Sequence, residues 1–560
     1  MDSQRLILFF VFTMSVFLLY EGWQRDLQST AKAQTAATTA VPQPSGAAAQ
    51  APQPGPGAAT IPAPSAALTA SSPVAAPAQV LPVAGKPIVV ETDLYRAEIS
   101  PVGGDLIGLR LKQHGGTLDS KQNFILFARS PEHTYVAQSG LIGDGLANHQ
   151  TTYTAAAERY VLGDSQDSLE VRLEATGGSR GAKVYRFQRD AYVIDVRHEL
   201  ANPGNTPMEA HAYFQLLRDN KPPEGDSAMV PTYTGPAVYT DKDKFQKIAF
   251  ADIDKGKQNH PKSANDGWIA MVQHYFLGAW LPKEGSPREY YTRQLQPGLY
   301  GAGVIVPVGT IAPGATGSAS MILYAGPQEQ EKLAALAPGL ELAVDYGWLT
   351  VIAAPLFWVL QWIHGWAGNW GVAIIILTIL IKLLFYPLSE ASYRSMAKMR
   401  VVAPKLQSLK ERYGDDRQRL QQAMMELYKT EKINPLGGCL PVLVQIPVFI
   451  ALYWVLLASV EMRQAPFALW ITDLSTPDPW YILPVLMGAT MIIQTRLNPE
   501  PPDPVQAKVM KIMPVAFSIF FFFFPAGLVL YWLVNNILSI AQQWHINRTL
   551  EASAKAGRKS

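Results

Sequence analysis

The chain is poor in cysteine and poor in charge. A single cysteine, Cys439, stands among 560 residues, which excludes an intramolecular disulfide framework and any metal site built from cysteines alone. Charged residues make up 16%, and 47 Lys plus Arg against 45 Asp plus Glu leave a net charge of +2, so the global basic excess of a nucleic-acid binder is missing. Also missing are a Gly-rich loop ending in Lys-Ser/Thr, an H-E-x-x-H helix and a G-x-S-x-G turn, the usual markers of a P-loop ATPase, a zinc protease and a serine hydrolase. What the chain has is apolar mass: 48% hydrophobic residues and 13 Trp, concentrated in the last third. That is the composition of a membrane protein with more than one folding unit.

Residues 6–20 are an apolar run between Arg5 and Glu21. The nearest small-x-small sequence, Ala31-Lys32-Ala33, lies too far beyond it for signal cleavage, so 1–26 reads as a retained anchor. Residues 27–85 hold 19 Ala, 10 Pro and one charge, Lys32, a composition expected of a disordered or polyproline-like tether. From 86 to 340 short β-rich runs alternate with Gly, Pro, Asn and Asp, most clearly at Val184-Tyr-Arg-Phe-Gln188. This predicts a soluble, mostly antiparallel sandwich, closed by a helix near Gln328 to Leu336.

Two apolar segments, 348–368 and 369–388, follow. The loop 389–438 carries ten Lys or Arg against six acids and is expected on the cytoplasmic side. With Arg5 inside and one anchor, only an odd number of crossings returns residue 389 to the cytoplasm. The segment with Pro355 and Trp348, Trp358, Trp362 and Trp366 is therefore expected to lie flat on the outer face, and 369–388 to span. Apolar stretches at about 439–460, 480–495, 509–524 and 527–545 add four spans within 439–545, the last two divided by Phe524-Pro-Ala-Gly527, and a basic tail, 546–560, follows. The expected fold is a multi-domain membrane protein: a bundle of six transmembrane helices with both termini cytoplasmic, plus a large β domain outside. The loop 389–438 should form a helical hairpin, with Met396, Met399, Leu406 and Leu409 on one arm and Leu420, Met424, Leu427 and Tyr428 on the other.

Polar groups inside spans carry the functional signal, because a charge there costs about 2.5–3.5 kcal/mol on insertion scales. Lys382 is the one charge of its span, and Thr378 precedes it by four residues on the same face. Snorkelling of Lys382 to the headgroups is the plainer reading. Gln445 enters the next span at a matching depth; Tyr531 with Asn535, and Trp532 with Asn536, repeat the four-residue spacing in the last one, where Asn is also commonly interhelical glue. Together they suggest a polar cavity in the inner-leaflet half of the bundle, flanked by Pro441, Pro447, Pro514 and the Phe520 to Phe524 run. No metal or cofactor is implied. A transporter with a midplane site is the alternative, but the inverted repeats it predicts are not found. An intramembrane enzyme would need a nucleophile–base pair, and His364 and His545 have no evident partner.

Asn369-Trp-Gly371, Tyr386-Pro-Leu388, Ser395-Met-Ala-Lys-Met-Arg400, Asn434-Pro-Leu-Gly-Gly-Cys439, Gln445-Ile-Pro447, Arg463-Gln-Ala-Pro-Phe-Ala-Leu-Trp470 and Phe524-Pro-Ala-Gly-Leu-Val-Leu-Tyr531 closely resemble the YidC family of bacterial inner-membrane insertases, over essentially the whole chain. The resemblance implies a five-helix insertase core after the anchor, a periplasmic β-supersandwich, and no enzymatic activity. It further implies a hydrophilic groove open to the cytoplasm and lipid. At groove positions stand Lys382, Thr378, Gln445, Tyr531, Trp532 and Asn535, and on a face along which substrates slide stand Ile446, Pro447 and Phe520. The family carries arginine where this chain has Lys382, which keeps the charge and loses the planar fork. Implied partners are nascent membrane proteins, the lipid bilayer and Sec translocon subunits, with no sequence-specific nucleic acid; separately, the basic loop, with Arg394, Lys398, Arg400, Lys405, Arg412 and Arg417, and the basic tail are expected to recruit the ribosome or nascent chain.

Overall fold

The computed structural model describes residues 85–117, 119–223, 232–414, 416–431, 440–497 and 504–557, all within one unit, Pro56–Ser560. The expected anchor (1–26), nearly all of the tether, Asn434 to Cys439 and the last three residues of the tail lie outside the described residues.

Alternation drives the first architecture. In Val193–Ala201 every second side chain is buried, and the strand pairs with Ala182–Gln188 so that Ile194 faces Phe187 and Val196 faces Tyr185. One sheet has ten strands, in the order Ser263–Ala264, Arg288–Gln296, Leu299–Ile311, Met208–Asp219, Thr134–Ile142, Asn123–Arg129, Leu106–Gly115, Tyr95–Ile99, Ile88–Glu91 and Arg159–Val161. The other has nine, in the order Lys244–Lys247, Gly235–Thr240, Trp268–Gln273, Phe276–Leu281, Thr316–Pro327, Val193–Ala201, Ala182–Gln188, Ser168–Ala175 and Tyr153–Ala155. Strand pairing is antiparallel except between Ile88–Glu91 and Arg159–Val161. One apolar core, with Phe214 against Trp280 at 5.2 Å, lies between the sheets, making the expected sandwich.

Two short helices belong to this domain, α1 (Phe250–Asp254) and α2 (Gln330–Leu336). The helical region then runs α3 (Thr350–Ala367), α4 (Trp370–Leu384), α5 (Tyr386–Tyr413), α6 (Arg417–Thr430), α7 (Leu440–Ala458), α8 (Ile482–Leu497), α9 (Pro504–Phe520) and α10 (Ala526–Gly557). A second core collects Phe357 and Leu360 of α3, Ile374 and Leu377 of α4, Leu452 and Val455 of α7, Met487 of α8 and Leu528 to Tyr531 of α10. The opposite face of α3 exposes Trp358, Trp362 and Trp366.

The Asn369-Trp-Gly motif sets the start of α4. The Asn369 side chain caps the helix by accepting from the Val372 N–H at 3.0 Å and donates to the Phe467 carbonyl at 2.8 Å. At Gly371 a Cβ would fall 2.1 Å from the Phe467 ring, so only glycine allows that approach. At the other end the expected span 369–388 is not one straight helix. It breaks at Phe385, and Tyr386–Met396 turns away by 65°; Pro387 sits in the first turn of α5, where its missing N–H is harmless.

Among the described residues one helix, Gly347–Ala367, is long and apolar enough to cross a membrane unaided, and the bent pair would make a second. Val444–Ala458 and Ile482–Leu497 are shorter apolar helices. Length therefore favours as a span the segment that the charge argument lays flat. The expected hairpin is present: α5 and α6 enclose Val402 and Leu406 against Met399, Met424, Leu427 and Tyr428.

The β domain meets the helices at the loop after α7. Arg463 donates to the Gly115 carbonyl at 2.6 Å and lies over the rings of Phe124 and Phe276, while the Gln464 side chain accepts from the Gly115 N–H at 3.0 Å.

Candidate functional site: a polar stripe inside the helical core

Helix α10 supplies the spine. Tyr531, Asn535 and Ser539 recur every four residues, and Trp532, Asn536 and Gln543 follow a neighbouring line, so each row occupies one helix face. Tyr531, Asn536, Ser539 and Gln543 are all buried.

These groups meet three other elements. From α4 the Lys382 amine donates to Ser539 Oγ at 2.8 Å, and that hydroxyl donates to the Asn535 carbonyl at 2.7 Å. From α7 the Gln445 amide donates to Asn535 Oδ1 at 2.9 Å, with Tyr531 beside it. From α8 the Thr490 hydroxyl accepts from Asn536 at 3.4 Å. The Lys382 side chain thus turns into the bundle, although α4 ends two residues later at Leu384, closer to the helix end than a span to Leu388 implied. Its ammonium has three donors, so its bond to Ser539 leaves capacity for further acceptors.

Thr378 is on the same helix as Lys382 and buried, but its hydroxyl donates to the Ile374 carbonyl one turn back at 2.7 Å. Trp532 packs edge-on against Phe449 at 4.4 Å and tilted against Phe521 at 5.5 Å, and its Nε1 is buried without a hydrogen-bond partner among the described residues. An orphaned indole N–H in an apolar surround is costly unless something fills it.

The apolar residues form a continuation of this wall. Ile446 and Pro447 are half-buried beside Gln445 on α7. Phe520 is 46% exposed and contacts Phe521 and Phe524; Phe521 reaches Trp532, so an aromatic path joins the exposed edge to the polar stripe. In the hairpin, Arg394 pairs with Glu390 at 2.5 Å and Lys405 with Glu431 at 2.7 Å, whereas Arg412 is exposed. Lys398, Arg400 and Arg417 have helical backbones, and their side chains lie outside the described ones.

Sequence reasoning missed Ser539, the direct partner of Lys382. The signal was available: Ser539 extends the Tyr531 and Asn535 spacing by one more turn. It also missed Thr490, which no local pattern distinguishes from a threonine returning its hydroxyl to its own helix.

An apolar bundle with an interior cation, joined to a large β domain, defines an integral membrane protein with a substantial extramembrane part. Two family descriptions divide the chain: "YidC periplasmic domain" matches residues 87–359 and "60Kd inner membrane protein" matches 362–554. The chain is 56% identical to the membrane protein insertase YidC of Aromatoleum aromaticum over 100% of both chains. It is 56% identical to that of Methylobacillus flagellatus over 99% of this chain and 98% of that one, and 54% identical to that of Nitrosospira multiformis over the same shares. A solved active YidC insertase aligns with 82% of this chain and 92% of its own at 19% identity and a TM-score of 0.39. The chain belongs to the YidC family of membrane protein insertases, with a periplasmic β domain and an inner-membrane helical region.

Proposed function

We propose that the protein moves transmembrane segments of nascent proteins from the cytoplasm into the inner membrane, alone or with the Sec translocon, using the α10 stripe as the floor of a hydrophilic groove. The observation that carries this reading is the Lys382 amine drawn inward to Ser539 instead of outward to lipid. A substrate's polar or acidic tail must cross apolar lipid, and every buried polar group without a partner adds to its barrier. Lys382, Gln445, Asn535, Tyr531 and the vacant donor of Trp532 offer such partners part-way across; Thr378 adds polarity to the α4 wall. Ile446, Pro447 and Phe520 give the substrate's apolar helix a surface along which to leave.

In this reading six segments cross: the anchor, 369–388, and the four between 439 and 545, with both termini cytoplasmic. Helix α3 lies flat at the periplasmic face, its exposed tryptophans at headgroup level, as suits indole rings. The hairpin and the basic tail face the cytoplasm and recruit ribosomes or nascent chains through Arg412 and its neighbours Arg394, Lys398, Arg400, Lys405 and Arg417.

The test is reconstitution of the purified full-length protein in liposomes with a single-span substrate carrying an acidic tail. Insertion, read as protease protection of the tail, is expected to exceed that of empty liposomes; the same vesicles should pass no small solutes, and solute flux without insertion would overturn the proposal.

A further inference from the structure

The loop that follows α7 holds a carboxylate that the insertase reading leaves without a role. Glu461 lies in the short turn Val460–Met462, pressed against the start of α2 in the β domain. Its carboxylate accepts from its own backbone N–H and from that of Gln330, while Oε2 is buried and, among the described residues, has no hydrogen-bond partner.

We propose that Glu461 makes this junction a proton-gated latch: protonated, it lets the β domain close on the loop between α7 and α8, and ionised, it opens that contact.

The surroundings are those of a group that resists ionisation. Glu329, just before α2, and Glu331 in its first turn face it, and Tyr324 and Tyr346 do so from the strand and turn alongside. Two cations of this junction are engaged with other groups: Lys332 pairs with Glu329 at 2.8 Å, and Arg463 is directed to Gly115 and the two Phe rings. Burial first, and the two glutamates after it, push the Glu461 carboxyl from 4.5 up to about 7. His114, nearby, is held down at about 4 by burial and by Arg463 and Lys332, so it is uncharged where Glu461 titrates. The His274 ring also meets this face, its Nε2 3.1 Å from the Leu457 carbonyl.

The closed contact is also one that can part. Gln464 holds a left-handed backbone, φ +58°, costly for a residue with a Cβ and maintained by its bond to Gly115. A cavity of about 40 Å³ between His274, Tyr275, Trp454 and Leu457 leaves the junction of the β domain with α7 imperfectly filled.

The sign follows from the raised value. Closure binds a proton, so its stability is fully present below 4.5 and is lost as pH rises through about 7. The closing constant should fall on the order of 10²-fold across that window.

Spin labels at Glu170→Cys and Val485→Cys, in a Cys439→Ser background of the full-length protein in liposomes, report the distance between the β domain and the helices. A single narrow distance at pH 5.5 should give way to a broad or doubled distribution above pH 8. Glu461→Gln and Glu461→Met should both stay narrow throughout, and either one suffices if the other fails to fold. A distance that ignores pH in the unsubstituted chain would overturn the latch; so would a pH response surviving in the Glu461 variants.

Discussion

The Lys382 amine lies 2.8 Å from the Ser539 hydroxyl, and no carboxylate of the described residues pairs with it. A cation inside an apolar bundle, bonded to a neutral hydroxyl, retains strong demand for an anion or water. Removing the charge should therefore matter most for acidic tails. Lys382→Ala is expected to slow their insertion roughly 10-fold or more, the scale of one lost charge-assisted hydrogen bond, and to affect neutral tails less. Lys382→Arg should stay within about 3-fold. Equal rates for Ala and unsubstituted protein with both tails would remove the charge from the mechanism.

Gln445 and Asn535 should be energetically coupled. Single Ala substitutions and the double variant, unfolded in detergent, are expected to show an interaction of about 0.6 kcal/mol, typical of interhelical polar pairs. Strict additivity would mean that the 2.9 Å contact adds nothing to packing.

The β domain contains its own buried ion pair. Lys183 and Asp105 are fully enclosed at 3.7 Å, and the amine also donates to the carbonyls of Gly103 and Ser139. Lys183→Met leaves Asp105 uncompensated and should cost about 3–5 kcal/mol, whereas Lys183→Met with Asp105→Leu should recover much of it. Thermal unfolding of the three chains checks this.

Much of this arrangement was legible in the linear chain. Alternation at Val184 to Gln188 announced the sandwich, and the apolar spacing around Tyr413-Gly-Asp-Asp416 announced the hairpin. The break at Phe385 was less visible, although Pro387 marked it: an unbroken apolar run masks a proline that starts a new helix. The bond from Arg463 to Gly115 joins residues far apart in sequence, and no periodicity encodes such a pairing. Ser539 was readable as spacing but not as a partner, since which helix faces α10 there is a matter of tertiary packing.

The placement of α3 is decided by access. Cysteines replacing Trp358, Trp362 or Trp366 should react with an impermeant maleimide added from the periplasmic side, and one replacing Ala391 on α5 only after the inner membrane is opened. Protection of all three tryptophan positions would make α3 a crossing helix.

Deleting residues 405–430 should slow co-translational insertion several-fold while sparing short substrates supplied after synthesis. Binding of ribosomes measured at rising salt should weaken in the intact protein, as expected of exposed basic groups.

Helix α7 is 19 residues long, about 28 Å at ~1.5 Å per residue, with Gln445 near its beginning and the Arg463 clasp just past its end. On the proposed function, a partner that grips the outer domain would be tied through α7 to the Gln445–Asn535 contact of the groove without touching its membrane-embedded walls.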